Sequence, residues 1–181
     1  MSQTPTIRLG ESNQGPVTTV TDFELARAIE VASNVPDPEV PCVTVADLGI
    51  LRSVERDESG RIVVQLTPTY SGCPAVIAIE MAVQTALLSA GIESTIERVI
   101  SPAWTTDWIT VEGREKLRAY GIAPPVGRSG GRRAFFADDM IACPRCGSNH
   151  TTKVSEFGST ACKAHYRCDA CFEPFDYFKC I

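Results

Sequence analysis

The sequence predicts an α+β fold in two units, a helix-and-sheet unit followed by a small all-β ribbon. Three observations predict it. Apolar residues switch between helical and strand spacing over residues 20–121. Six of the eight cysteines crowd into the last thirty-nine residues. Between these regions, residues 122–142 hold Pro-Pro, Gly-Gly and three arginines, the composition of a linker. Charge divides at the same place: Lys and Arg against Asp and Glu number nine to sixteen over 1–121, and five to four over 143–181.

Bulk composition excludes several function classes. A chain of 181 residues, 44% apolar and 22% charged, has globular values. Its net charge of −5 argues against general attachment to nucleic acid or an anionic membrane. The longest apolar stretch, PAVIAIEMAV, is cut by Glu80 and falls short of the ~20 residues a bilayer needs. The first twenty residues lack the apolar core of a secretory signal, so a cytoplasmic location is expected. Thiols there stay reduced, and clustered cysteines point to metal or redox chemistry.

Residues 1–19 are polar and aperiodic and read as a tail. Thr21 and Glu24 then have capping-box spacing, with Val20 and Leu25 placed as a staple. Leu25, Ile29 and Ala32, with Phe23 and Ala26 beside them, predict a helix that stops before Pro36. NVPDPEVPCVTVADLG reads as an ordered loop. Two apolar runs around Glu58-Ser59-Gly60 predict a hairpin, in which Ile62, Val64 and Leu66 share the buried face. Gly72-Cys73-Pro74 leads into a helix that is apolar almost all round, marked by Glu80 and Gln84 and stopped at Gly91; it is expected to be largely buried. STIERVIS predicts a third strand, PAWTTDWIT a loop or strand, and VEGREKLRAY an exposed helix ending at Gly121.

The strongest chemical signal is Cys143-Pro-Arg-Cys146, twenty-one residues, then Cys168-Asp-Ala-Cys171. Each two-residue gap lets a tight turn present two thiolates to one ion, and two such turns make a tetrahedral site that suits zinc, with iron as the alternative. A unit of fewer than forty residues needs such a staple. His150 and His165 read as ordinary polar positions. If the strand ending at Cys168 returns as PFDYFKC with Cys168 opposite Pro174, Cys162 falls opposite Cys180. That pair could share a metal or oxidise; equally, both could be small buried hydrophobes.

Cys73 stands where a strand gives way to a helix. The partial positive charge at a helix N-terminus favours a thiolate, although a buried loop cysteine would occupy the same position. Asp37, Glu39 and Asp47 are candidate metal ligands, but Asp before Pro and Asp before Leu-Gly also serve as turn and capping devices. Cys42, between Pro41 and Val43, reads as packing.

Asp37-Pro38-Glu39, Asp47-Leu48-Gly49, Thr67 with Cys73-Pro74, and Pro102-Ala103-Trp104 together resemble the small iron–sulfur assembly family that includes SufT-like proteins, over residues 22–121. With the ribbon's FGSTACK and EPFDYFKC, the chain resembles the family of small accessory subunits of the ring-epoxidising phenylacetyl-CoA oxygenase. The resemblance implies an iron–sulfur-assembly-type domain at 20–121, a linker at 122–142 and a zinc ribbon at 143–181. It implies that Cys73 handles iron or an iron–sulfur cluster transiently, and that the chain matures metal centres without turning over substrate. The oxygenase's di-iron subunit and iron–sulfur reductase are the implied partners. One cysteine supplies too few ligands for a stable cluster, so a homodimer or a client would complete the site. No paired Glu-x-x-His motif and no Gly-rich dinucleotide motif is present. Two rival functions remain. One is a scaffold with inert cysteines, using Trp104, Trp108, Phe135 and Phe136 as anchors. The other is a nucleic-acid ribbon using Arg128, Arg132 and Arg133 with ribbon aromatics.

Overall fold

The computed structural model describes residues 19–70, 72, 75–126 and 140–180, with the side chains of 19–22 left aside. Helix α1 (Thr19–Ser33) precedes the hairpin of β1 (Leu51–Arg56) and β2 (Ile62–Leu66). Helix α2 (Ala75–Ser89) then crosses to β3 (Ser94–Arg98), which lies parallel to β2 in a three-stranded sheet of order β1-β2-β3. The hairpin and the alternating burial of Ile62, Val64 and Leu66 are as expected. PAWTTDWIT forms one turn of 3-10 helix (Thr106–Trp108), and α3 (Val111–Tyr120) follows, capped by the Thr110 hydroxyl and ended by Gly121 at φ 99°.

Two helices present different faces from those expected. In α1 the fully buried positions are Ala28 and Ala32, while Phe23 and Ile29 are exposed. Small side chains let the helix lie close to β1 and α2, which decides the buried face. Helix α2 is less buried than its composition suggests. It buries only Ala75, Val76, Ile79, Val83 and Leu87, and exposes Ile77, Met81 and Leu88. An almost uniformly apolar helix carries little periodicity to say which face meets the sheet.

The ribbon is a second sheet, in which β5 (Thr151–Ser155), β6 (Lys163–Cys168) and β7 (Pro174–Phe178) form an antiparallel meander. A short strand, β4 (Ile122–Ala123), pairs in parallel with β7, giving the order β4-β7-β6-β5. The chain leaving α3 therefore joins the ribbon's sheet at once. Ala123, Ile141, Ala164, Tyr166, Phe175 and Tyr177 pack with Cys143 and Cys168 in the ribbon's own core. Phe178 and Cys162 point elsewhere: they belong to the core of the first unit, where the Phe178 ring meets Trp104 at 6.1 Å.

Candidate metal centre and the Cys73 loop

Two knuckles build the ribbon's centre. In the first, the Gly147 amide donates to the Cys143 carbonyl and Gly147 takes φ 74°. In the second the corresponding residue is Phe172, at φ 62° and exposed. An Arg145–Glu173 ion pair at 2.8 Å ties the knuckles together. The sulfurs of Cys143, Cys146, Cys168 and Cys171 all lie within 4.8 Å of one another, with Cys143–Cys171 at 3.8 Å and Cys146–Cys168 at 3.6 Å. A tetrahedral ion with metal–sulfur bonds of about 2.3 Å holds its sulfurs about 3.8 Å apart, so these four residues fit one metal ion. Neither His150 nor His165 joins them; His165 Nδ1 lies 3.4 Å from an Asp176 oxygen.

The thiol acidities agree with a site built for a cation. The Cys171 amide donating to its sulfur holds Cys168 down to about 7. The Glu173 amide favours the Cys171 thiolate, but burial and the Cys146, Cys168 and Cys143 sulfurs outweigh it and push Cys171 up to about 12. Four sulfurs this close do not all ionise unless a positive charge sits among them.

The expected pairing of Cys162 with Cys180 is corrected by the strand register. Arg167, not Cys168, faces Pro174, and Lys163 faces Phe178. The turn through Phe172 carries one residue more than the expected register allowed. Cys162 therefore meets Lys179, whose amide donates to its carbonyl at 3.0 Å. The Cys162 sulfur contacts the Thr160 hydroxyl at 3.0 Å, while Cys180 donates to the Val126 carbonyl at 3.1 Å.

The acidic residues divide. Asp47 Oδ2 accepts from the Thr44 amide at 2.8 Å and from Lys116 Nζ at 2.7 Å, tying the loop to α3. Burial opposes its ionisation, but the Lys116 and Thr44 bonds outweigh that and lower its pKa. Next to it, the Leu48 carbonyl accepts the Trp104 indole N–H at 2.8 Å. Gly49 adopts φ 67°, where an added Cβ would lie 2.6 Å from Trp108. The Asp-Leu-Gly and Pro-Ala-Trp triplets thus hold each other in place. Trp104 is buried, which removes it as an anchor for a partner, while Trp108 is half-buried with the Arg52 guanidinium 3.5 Å from its ring centroid.

Asp37 is different. It is 5% exposed, and its Oδ1 accepts from the amides of Glu39 at 2.9 Å and Val40 at 2.8 Å. Burial raises its pKa despite those bonds and the nearby Lys163 charge. Asp37 and Glu39 line a recess with Thr69, Ala75, Cys162 and Phe178. Asp47 does not line it. Cys42 is half-buried against the core, its thiol pushed up first by burial, in keeping with a packing role. Cys73 and Pro74 lie outside the described residues, as do Arg128, Arg132, Arg133, Phe135 and Phe136; Gly72 and Ala75 bracket the loop cysteine. Sequence reasoning missed the place of Cys162 in the recess and Lys116 as the partner of Asp47. A strand-period reading of Cys162 through Phe178 carried the only signal for the first.

The ribbon centre and the sheet that precedes it both have counterparts among known proteins. The family model for the PaaD zinc beta ribbon domain matches residues 128–179, and that for an iron–sulfur cluster assembly protein matches residues 19–99. An Escherichia coli K12 protein, described as a putative component of 1,2-phenylacetyl-CoA epoxidase, is 52% identical over 150 residues, 82% of this chain and 88% of its own length. This chain belongs to that family of epoxidase components. Solved structures overlay on it more loosely. A DUF59 domain from Bacillus anthracis is 24% identical, covers 53% of this chain and 92% of its own, and gives a TM-score of 0.48. Rv1466 from Mycobacterium tuberculosis, described as a protein associated with Fe–S complex assembly and repair, is 30% identical over 62% of this chain and 96% of its own, with a TM-score of 0.30. Among the described residues no helix is long and apolar enough to cross a membrane.

Proposed function

We propose that this chain is a non-catalytic accessory subunit of the phenylacetyl-CoA epoxidase system of aerobic phenylacetate breakdown. It matures or maintains iron–sulfur or di-iron centres through the Cys73 loop, in the cytoplasm, with a structural zinc in the four-cysteine ribbon. The observation that carries the reading is the junction of an iron–sulfur assembly match over 19–99 with a PaaD ribbon match over 128–179 in one chain. Local chemistry supports it. Cys73 precedes the first turn of α2, where partial positive charge favours a thiolate. A lone sulfur holds a cluster only when a client or a second protomer adds ligands, which suits hand-over rather than storage. The di-iron oxygenase subunit and the iron–sulfur reductase are the partners this reading names. Zinc is favoured over iron in the ribbon because small stapled units use it as a closed structural ion.

Anaerobic loading with iron and sulfide tests the role of Cys73. Visible absorption in the wild type that Cys73→Ser loses is expected; equal loading by both removes Cys73 from the mechanism. A scaffold reading has one observation in its favour, the exposed apolar stripe Ile77, Met81 and Leu88 on α2. It prevails if Cys73→Ser restores epoxidase activity fully in a deletion strain while a ribbon cysteine variant does not.

A further inference from the structure

Helix α2 turns an apolar stripe to solvent. Ile77, Met81 and Leu88 are 63%, 64% and 55% exposed. At 3.6 residues per turn they fall within about 40° of one another on the helix surface. Beside the stripe runs a groove of about 640 Å3, lined by Val31, Val35 and Pro36 from α1 and the turn after it, and by Ala78, Ala82 and Ala86 from α2. Met81 belongs to both, standing on the stripe and lining the groove. Exposed apolar surface of this kind marks a place of association. Charge is missing from it. Glu80 is the one ionisable side chain of α2, and Arg98 neutralises it through two bonds of 2.7 and 2.8 Å. None of the residues lining the groove is ionisable. Elsewhere the unit is acidic: residues 1–121 hold nine Lys and Arg against sixteen Asp and Glu, with Glu55, Glu97, Glu112 and Glu115 exposed on β1, β3 and α3.

We propose that this face binds a second copy of the chain, giving a twofold homodimer in which the stripe of each copy enters the groove of the other. Two features single out a second copy. An isologous contact needs one patch that complements itself, and here a projecting row and a recess to receive it lie side by side. Charge is the other feature. Two copies meeting through the acidic faces set like charges against each other, whereas the α2 face joins them without that repulsion. Size then sets the strength. A helix of fifteen residues is about 22 Å long and a pair of helices about 20 Å across, so each copy offers roughly 440 Å2 in projection. The two together, about 900 Å2, fall below the ~1,200 Å2 at which stable complexes begin. The dimer is therefore reversible, with a dissociation constant in the micromolar range. This goes beyond the function proposed above and stands whether or not the chain handles iron.

Sedimentation equilibrium of the full chain, reduced and zinc-loaded, tests this from about 1 to about 200 µM. The weight-average mass of the wild type is expected to climb from that of one chain toward that of two. It should do so more readily at about 0.5 M than at about 0.05 M salt, because screening relieves the repulsion of the net −5 charge. Ile77→Lys and Met81→Lys change exposed positions and leave the core untouched, so circular dichroism should stay as in the wild type. Each should weaken dimerisation by about tenfold or more. Val154→Lys, the same kind of change at an exposed apolar position of β5, should dimerise as wild type. A wild type that stays monomeric at about 200 µM, or a dimer that both stripe variants retain, overturns the proposal. A dimer that salt dissociates also overturns it, since such a contact runs through charged faces. A monomeric chain that binds the di-iron oxygenase subunit, and loses it on Met81→Lys, overturns it too and gives the stripe to a different protein.

Discussion

Phe178 couples the ribbon to the first unit, and truncating it should weaken both. The side chain is 1% exposed, sits in the first unit's core and meets the Trp104 ring at 6.1 Å and 48°. A Phe→Ala change at such a position costs about 3–5 kcal/mol in transfer and cavity terms. The aromatic pair contributes about 0.5–1.5 kcal/mol of that beyond its buried area. At ~2–4 °C per kcal/mol for a chain of this size, Phe178→Ala should lower Tm by about 6–20 °C. Thermal unfolding followed by far-ultraviolet circular dichroism and by Trp fluorescence checks it, because Trp104 reports on the first unit. Both signals should shift together. The Trp104→Ala, Phe178→Ala double variant should cost less than the sum of the singles, since the two side chains touch. A loss below about 1.5 kcal/mol, or a ribbon transition that moves while the Trp signal stays, would refute the shared core.

Three further outcomes follow from single positions. Asp37 has a raised folded pKa, so a stability cost accrues as pH rises above the ordinary carboxylate value, is complete above the folded pKa, and is gone again once pH falls below the ordinary value. Asp37→Asn should therefore raise stability at pH 7 and flatten its pH dependence above the ordinary carboxylate range in urea titrations. Gly49→Ala forces a side chain onto φ 67° and into Trp108 at 2.6 Å, and should cost at least about 2 kcal/mol by chemical denaturation. Phe172→Gly relieves a left-handed residue whose ring is 73% exposed and packs little, and should gain about 0.5–1 kcal/mol in metal-loaded protein.

The ribbon's four ligands are legible in the sequence because Cys-x-x-Cys spacing is set by local turn geometry, and the hairpin is legible because Ile62, Val64 and Leu66 alternate. Other features depend on distant partners. Asp47 reads equally as a ligand or a capping residue until Lys116, 69 positions away, closes on it. The face of α1 escapes the sequence because two alanines, not the larger Ile29, make its close contact. The register of β6 against β7 differs by one because the knuckle after Cys171 places Phe172 in a left-handed conformation that sequence reasoning would sooner assign to glycine. That single residue decides whether Cys162 faces Cys180 or turns into the neighbouring core.

Strand β4 has a mechanical consequence. Because Ile122 and Ala123 hydrogen-bond into β7 directly after α3, the ribbon is not an arm on a hinge. On the function proposed above, a donor or recipient of iron meets two sheets already joined by β4.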